Sequence, residues 1–115
     1  MEKDRFVIRA KIWIENCDGK VVFGLGRYRM LEAVDRHSSL HAAAKELKMS
    51  YRALWGRIKA SEKRLGKPLV ESSGRGTTLT PFARQLMDRF REIQEQVRQE
   101  SDECFKNMMA TKLDQ

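Results

Sequence analysis

The chain is poor in the residues that staple or stiffen small domains. Among its 115 residues it has two cysteines, Cys17 and Cys104, and two prolines, Pro68 and Pro81. With so few cysteines, and with an N-terminal MEKDRF that lacks the apolar stretch of a signal peptide, a disulfide framework is not expected and the expected compartment is the cytoplasm. No apolar run approaches the roughly 20 residues that span a bilayer, so no membrane partner is expected either. There is no internal repeat and no low-complexity tract. At 41% hydrophobic the chain has enough apolar residues for a small core, which argues against global disorder. The length suits one domain with one appended element. His37 and His41 are four apart but have no cysteine or acidic companion, which argues against a metal site. Gly24-Leu25-Gly26 lacks the third glycine of a dinucleotide fingerprint, since Arg29 stands in its place. No Ser/His/Asp or Cys/His constellation is present, so neither an enzyme, nor a catalytic residue, nor a cofactor is expected.

What the chain does have is positive charge in one place. The net charge is +7. Residues 1–80 hold 17 Lys/Arg against 9 Asp/Glu, whereas residues 81–115 hold 6 against 7. The excess of cations is confined to the front portion. A polyanion-binding module ahead of a balanced association element would have this distribution; a merely soluble basic protein is the plainer alternative.

Hydrophobic spacing divides the chain into elements. Residues 6–15, FVIRAKIWIE, alternate, with Ile8, Ala10, Ile12 and Ile14 on one face of a predicted strand. Asp18-Gly19 offers a hairpin turn and Val21-Val22-Phe23 a return strand. Gly24-Leu25-Gly26 breaks the pattern. A helix is expected from about Arg27 to His37, with Met30, Leu31 and Val34 as its core stripe. Ser39 to Leu65 reads as two helices joined at Lys48-Met49-Ser50. Leu40, Ala43, Ala44 and Leu47 repeat at helical spacing on the first; Leu54, Trp55, Ile58 and Leu65 do so on the second. Ser39 and Ser50 are good N-caps. Gly66 ends the second helix, and Pro68 prevents its resumption.

Leu69-Val70-Glu71 is extended, Ser72 to Thr78 reads as a polar loop, and Leu79-Thr80 is extended again. A strand, loop and strand just after a recognition helix is a wing. Thr80 caps a long helix that has Pro81 at its first position. In it Phe82, Leu86, Phe90, Ile93 and Val97 recur every three or four residues, and Cys104, Phe105, Met108 and Met109 continue the stripe less regularly. So long a helix with one apolar stripe has to pack on something. The expected fold is mainly α with a small β component. A winged helix-turn-helix with an N-terminal β-hairpin occupies residues 1–80, and a long dimerisation helix with its tail occupies residues 81–115.

A helix-turn-helix whose second helix carries a row of cations is built to set that helix in the major groove. With Leu54, Trp55 and Ile58 toward the core, Tyr51, Arg52, Ala53, Gly56 and Arg57 are left for the groove, and the caps Ser39 and Ser50 join them in the expected DNA-binding set. Arg52 and Arg57 each carry the fork that grips a guanine edge. Tyr51 reaches a phosphate or stacks on a base edge. Gly56 costs about 1 kcal/mol of helix propensity relative to alanine, which points to a close approach of backbone to DNA or to a neighbouring helix. Lys59, Lys63, Arg64 and Lys67 are placed for phosphate, a solvated helix face being the alternative. Arg75, between two glycines at the wing tip, suits a narrow minor groove unless it is an incidental cation. Phe82, Leu86, Phe90, Ile93, Val97 and Phe105 form the expected dimerisation stripe. Cys104 is expected as a small core residue on that stripe, and Cys17 lies beside the hairpin turn.

Particular residues carry a family resemblance. They are Gly24-Leu25-Gly26-Arg27, Leu31-Glu32-Ala33-Val34, Ser39, Ala43-Ala44, Leu47, Met49-Ser50-Tyr51-Arg52, Trp55, Pro68-Leu69-Val70 and Leu79-Thr80-Pro81. Across about residues 6–100 the chain resembles the N-terminal domain of ModE-type molybdate-responsive regulators and, more remotely, the LysR-type DNA-binding domain. The resemblance implies a winged helix-turn-helix, homodimerisation through the long helix, and transcriptional control. Three departures stand out. Lys48 occupies the turn where the family usually has glycine, which would place a lysine at positive φ. The wing has only Gly74 and Gly76 where the family has a long glycine run. The 115 residues hold no β-rich oxyanion-binding domain, so molybdate binding is not expected in this chain. The expected partners are double-stranded DNA and a second copy of the chain. Two rivals remain: an architectural nucleic-acid binder without sequence preference, and a protein-docking module.

Overall fold

A computed structural model of the protein describes residues 6–110. Its elements in order are β1 (Trp13–Glu15), β2 (Val21–Gly24), α1 (Leu25–His37), α2 (Leu40–Glu46), α3 (Tyr51–Leu65), β3 (Val70–Ser73), β4 (Gly76–Leu79) and α4 (Pro81–Ala110). The strands form two antiparallel hairpins, β1 with β2 and β3 with β4.

The first hairpin turns at Asp18-Gly19 as expected. Asn16 holds it, with Oδ1 accepting from the backbone N–H of Asp18 at 3.0 Å and of Lys20 at 2.9 Å. Its first strand is far shorter than the alternation in residues 6–15 predicts. Trp13 pairs with Gly24, Ile14 with Phe23 and Glu15 with Val21, with a bulge between Ile14 and Glu15. The reason is the partner: β2 has four residues and passes at once into α1, so residues 6–12 have no edge to pair with. The proposed buried face fails with the strand. Ile8 and Ile14 are exposed, and of that set only Ile12 packs on the core.

Helix α1 starts at Leu25, two residues ahead of expectation, because Gly24 takes an extended conformation and serves as its N-cap. It buries Met30, Leu31, Ala33 and Val34. Ser39 and Ser50 cap α2 and α3 through their hydroxyls, which accept from Ala42 N–H at 3.1 Å and Ala53 N–H at 3.0 Å. Between these helices Lys48 does lie at positive φ, 58°. Lys48 N–H donates to the Lys45 carbonyl at 3.1 Å and Met49 N–H to the Ala44 carbonyl at 3.0 Å. That pair of bonds is a Schellman ending with lysine in its left-handed position. Gly66, at φ 75°, ends α3.

The core is one cluster gathered from every layer. Phe23 of β2, Leu31 and Val34 of α1, Ala43 of α2, Leu54 and Ile58 of α3, and Leu69 and Leu79 beside the wing all enter it. Helix α4 completes it. Thr80 caps α4 with a hydroxyl that accepts from Ala83 N–H at 3.1 Å and donates to the Pro68 carbonyl at 2.9 Å. Ala83, Met87 and Phe90 are then buried, with Phe90 edge-on to Phe23 at 5.3 Å between centroids. Arg84 forks onto Asp35 at 2.9 and 3.2 Å, and Arg91 donates to the Tyr28 hydroxyl at 2.7 Å, so polar contacts fasten α4 to α1. Thirty residues of α4 span about 45 Å at 1.5 Å per residue, and only the first turns are occupied by the core. Phe90 was expected on the dimerisation stripe; at 1% exposure it belongs to the protomer's own core.

Candidate nucleic-acid interface

Helix α3 is amphipathic in a way that sorts its residues cleanly. Leu54, Ile58 and Ser61 are buried, and Tyr51, Arg52, Trp55, Gly56, Arg57, Lys59 and Lys63 are exposed. Ala53 is half-buried, one turn inside the Ser50 cap. Trp55 was expected in the core with its neighbour Leu54. It is instead 36% exposed, because a residue adjacent to a core position is rotated by a little over a quarter turn. Gly56 meets nothing within 4 Å of where a Cβ would stand, which removes the close approach to a neighbouring helix and leaves open surface.

The cations divide into engaged and free. Lys59 Nζ pairs with Glu62 Oε1 at 2.9 Å and lies 4.2 Å from the centroid of the Trp55 ring. Arg64, expected on phosphate, donates to the Val21 carbonyl at 2.6 Å and ties α3 to β2. Lys67 lies over the Phe82 ring at 5.6 Å. Among the described residues the side chains of Arg52, Arg57, Lys63 and Arg75 have no hydrogen-bond or ion-pair partner, and all four are exposed. Arg75 sits in the two-residue turn between Ser73 and Gly76. The wing is a tight hairpin, because the stretch 72–78, expected to be loop, is mostly paired strand: Glu71 with Thr78, Ser72 with Thr77 and Ser73 with Gly76.

Two residues that were not expected at this surface organise it. Arg27 of α1 is half-buried, and its Nε donates to Ser61 Oγ at 3.1 Å and the Arg57 carbonyl at 3.2 Å. Its guanidinium is held below its ordinary value, first by burial and then by repulsion from Arg57 and Arg64. Three arginines, Arg27, Arg57 and Arg64, thus stand near one another where α1 meets α3. The signal available beforehand was Ser61, a polar residue on the apolar spacing of α3 that needs a donor to be buried. Glu62 is the second. Its Oε2 accepts from Leu69 N–H at 2.7 Å and Val70 N–H at 3.2 Å, joining the end of α3 to the start of the wing. The two histidines serve separate helices, His37 contacting Glu46 at 2.6 Å and His41 stacking on Tyr51.

The expected dimerisation stripe also divides. Phe90 is in the core, and Phe82 and Leu86 pack against it while half-buried. Ile93 is 51% exposed. Val97 lines a groove of about 360 Å³ between residues 7–12 and α4, together with Ile8, Ile12, Arg98 and Ser101. Phe105 is half-buried next to Ile8. Cys104 was expected as a core residue but is exposed, as is Cys17. No helix among the described residues is long and apolar enough to cross a membrane.

Against known proteins, residues 25–84 match the family described as bacterial regulatory helix-turn-helix protein, lysR family. The chain is 32% identical over 99 residues to the molybdenum transport protein ModE of Azotobacter vinelandii, covering 82% of the chain and 36% of that relative. It is 35% identical over 66 residues to the transcriptional regulator ModE of Haemophilus influenzae, covering 53% of the chain and 26% of the relative. The chain thus spans about a third of the length of these curated relatives, or less. Among solved structures, the CbnR DBD–DNA complex superposes with a TM-score of 0.58 at 27% identity, covering 75% of this chain and 99% of the other.

Proposed function

The chain belongs to the lysR family of bacterial regulatory helix-turn-helix proteins, and from that premise we propose that it binds duplex DNA sequence-selectively as a transcriptional regulator. One observation carries the reading. A Ser50-capped helix presents Arg52, Gly56, Arg57 and Lys63 to solvent, the cations without partners among the described residues, and a tight wing carries Arg75 at its tip. Arg52 and Arg57 lie on the N-terminal half of α3, the part of a recognition helix that reaches base edges. Lys63 follows along the helix for phosphate, and Arg75 serves the minor groove. Gly56 leaves space for backbone to approach the groove floor. The function is binding and not catalysis, and its place is the cytoplasm, where the DNA of a bacterial regulator is.

The protein acts as a homodimer through the part of α4 that the core leaves free, beginning at Ile93. Two recognition helices would then meet half-sites one helical turn, ~34 Å, apart. The match to ModE covers a minority of those relatives, so what the remainder of them does is not carried over.

The test is selection from a pool of random duplexes at about physiological salt, followed by sequencing. A recurrent, roughly palindromic motif supports a dimeric, sequence-selective regulator. Retention of DNA without enrichment would favour an architectural binder, and no retention at all would favour a docking module.

A further inference from the structure

Four side chains of the helix-turn-helix form a row that the reading above leaves unused. The His41 and Tyr51 ring centroids are 4.2 Å apart with the planes at 11°. The Tyr51 and Trp55 rings are parallel to within 5° and offset, at 6.4 Å. Lys59 Nζ stands 4.2 Å from the Trp55 centroid and is pinned by Glu62 at 2.9 Å. All four residues of the row are exposed. Tyr51, Trp55 and Lys59 are spaced four apart, so the row follows one line along the surface of α3 from its capped end. The core makes no demand on it, since α3 faces the core with Leu54, Ile58 and Ser61.

The stacking decides what this row offers a partner. One face of Tyr51 is taken by His41 and one face of Trp55 by Lys59. An unstacked base needs an open aromatic face, so the row is a poor platform for single strands. The remaining surface of the three rings is exposed to solvent and open to a partner. Exposed aromatic carbon is apolar and packs well against other apolar groups. In a major groove the apolar groups within reach are thymine 5-methyls. We propose that the His41–Tyr51–Trp55 row is a specificity element that reads thymine methyl groups of duplex DNA by apolar contact with its exposed rings, beside Arg52. This rests on the duplex-DNA reading above and adds the base chemistry that the row selects.

The test uses the duplex that the full chain enriches from the random pool, remade with deoxyuridine at single thymine positions. That change removes one methyl and leaves the base-pair hydrogen bonds intact. At a contacted thymine, binding should weaken about fourfold, the worth of one buried methylene. Trp55→Ala and Tyr51→Leu should bind the thymine and uracil duplexes alike at those positions. Both should keep the salt dependence of the wild type, because neither removes a cation. Thermal denaturation establishes that each variant is folded, and the wild-type comparison decides by itself if one is not. Equal wild-type affinity for thymine and uracil at every position overturns the inference and leaves DNA binding standing, as does a thymine preference that survives in both folded variants. Failure of the wild type to enrich any duplex removes the DNA reading itself, and this inference with it.

Discussion

Gly76 at the start of β4 lies against the backbone carbonyl of Ser38, the C-cap of α1. A Cβ on Gly76 would collide with that oxygen, and the neighbouring Thr77 N–H donates to it at 3.0 Å. Gly76 has φ 137° and Ser38 itself has φ 53°. The wing is therefore fixed to the helix junction one residue before the Ser39 cap. Gly76→Ala should cost roughly 1–3 kcal/mol through collision and backbone strain. Gly74→Ala has open space around it and should stay within about 0.5 kcal/mol. Thermal denaturation of the pair checks this; equal losses would mean that the contact with Ser38 does not anchor the wing.

Glu62 should give α3 and the wing a shared sensitivity to acid. Burial pushes its carboxyl up, but the hydrogen bonds from Leu69 N–H, the Lys59 ammonium and Val70 N–H outweigh it and hold the group below its ordinary range. A carboxyl depressed in the folded state stabilises the fold above its unfolded pKa of about 4.3, and that stabilisation is lost as pH falls through the folded value. Glu62→Gln should cost roughly 1.5–3 kcal/mol at neutral pH. The gap to wild type should close in acid, because protonation then removes from the wild type what the variant already lacks. Urea midpoints at pH 7 and near pH 3 measure both; a gap of constant size would place the effect elsewhere.

The sequence made the helical frame legible wherever a cap and an apolar stripe agreed. Ser39 before Leu40 and Ala43, Ser50 before Leu54 and Ile58, and Thr80-Pro81 before Ala83 each placed a helix start correctly, because capping and periodicity are local properties. The strands were less legible. Residues 6–12 alternate like a strand, but pairing needs a partner edge, and the length of β2 lies outside the segment being read. Trp55 and Phe90 were assigned the wrong surroundings for a related reason. A periodic stripe tells that a side chain is covered, not whether core, solvent or a second chain covers it. Arg27 was invisible as an organiser because its partners, Ser61 and the Arg57 carbonyl, lie 34 and 30 residues away.

Arg52 and Lys63 should separate base reading from phosphate neutralisation. Both are exposed on α3, three turns apart, and neither side chain has a partner among the described residues. Arg52→Ala should cost about 1–3 kcal/mol on the selected duplex and relax choice at one base pair. Lys63→Ala should weaken binding evenly across sequences and lower the salt slope by about one unit. Affinities on the selected and a scrambled duplex at several salt concentrations distinguish them. Equal, sequence-blind losses would count against placing the start of α3 in the groove.

Phe90 and Ile93 are one turn apart on α4 and face different surroundings, so substitutions there should fail in different ways. Phe90 is 1% exposed and packs edge-on against Phe23. Phe90→Ala should cost roughly 3–5 kcal/mol of stability, as truncation of a buried aromatic does, and should lower Tm whatever the oligomeric state. Ile93 is 51% exposed in the protomer, and a lone apolar side chain in water needs no explanation. Its neighbours change that reading, because Phe82 and Leu86 precede it on the same side of α4 and stay half-buried against the core. The apolar surface thus runs on past the last turn that the protomer covers, which is where a second copy would bind. Ile93→Glu should leave the fold of the isolated protomer nearly unchanged, convert dimers to monomers, and lose the affinity that comes from engaging two half-sites at once. Sedimentation equilibrium and circular dichroism together decide the matter. A folded Ile93→Glu variant that still sediments as a dimer would move the interface off this part of α4.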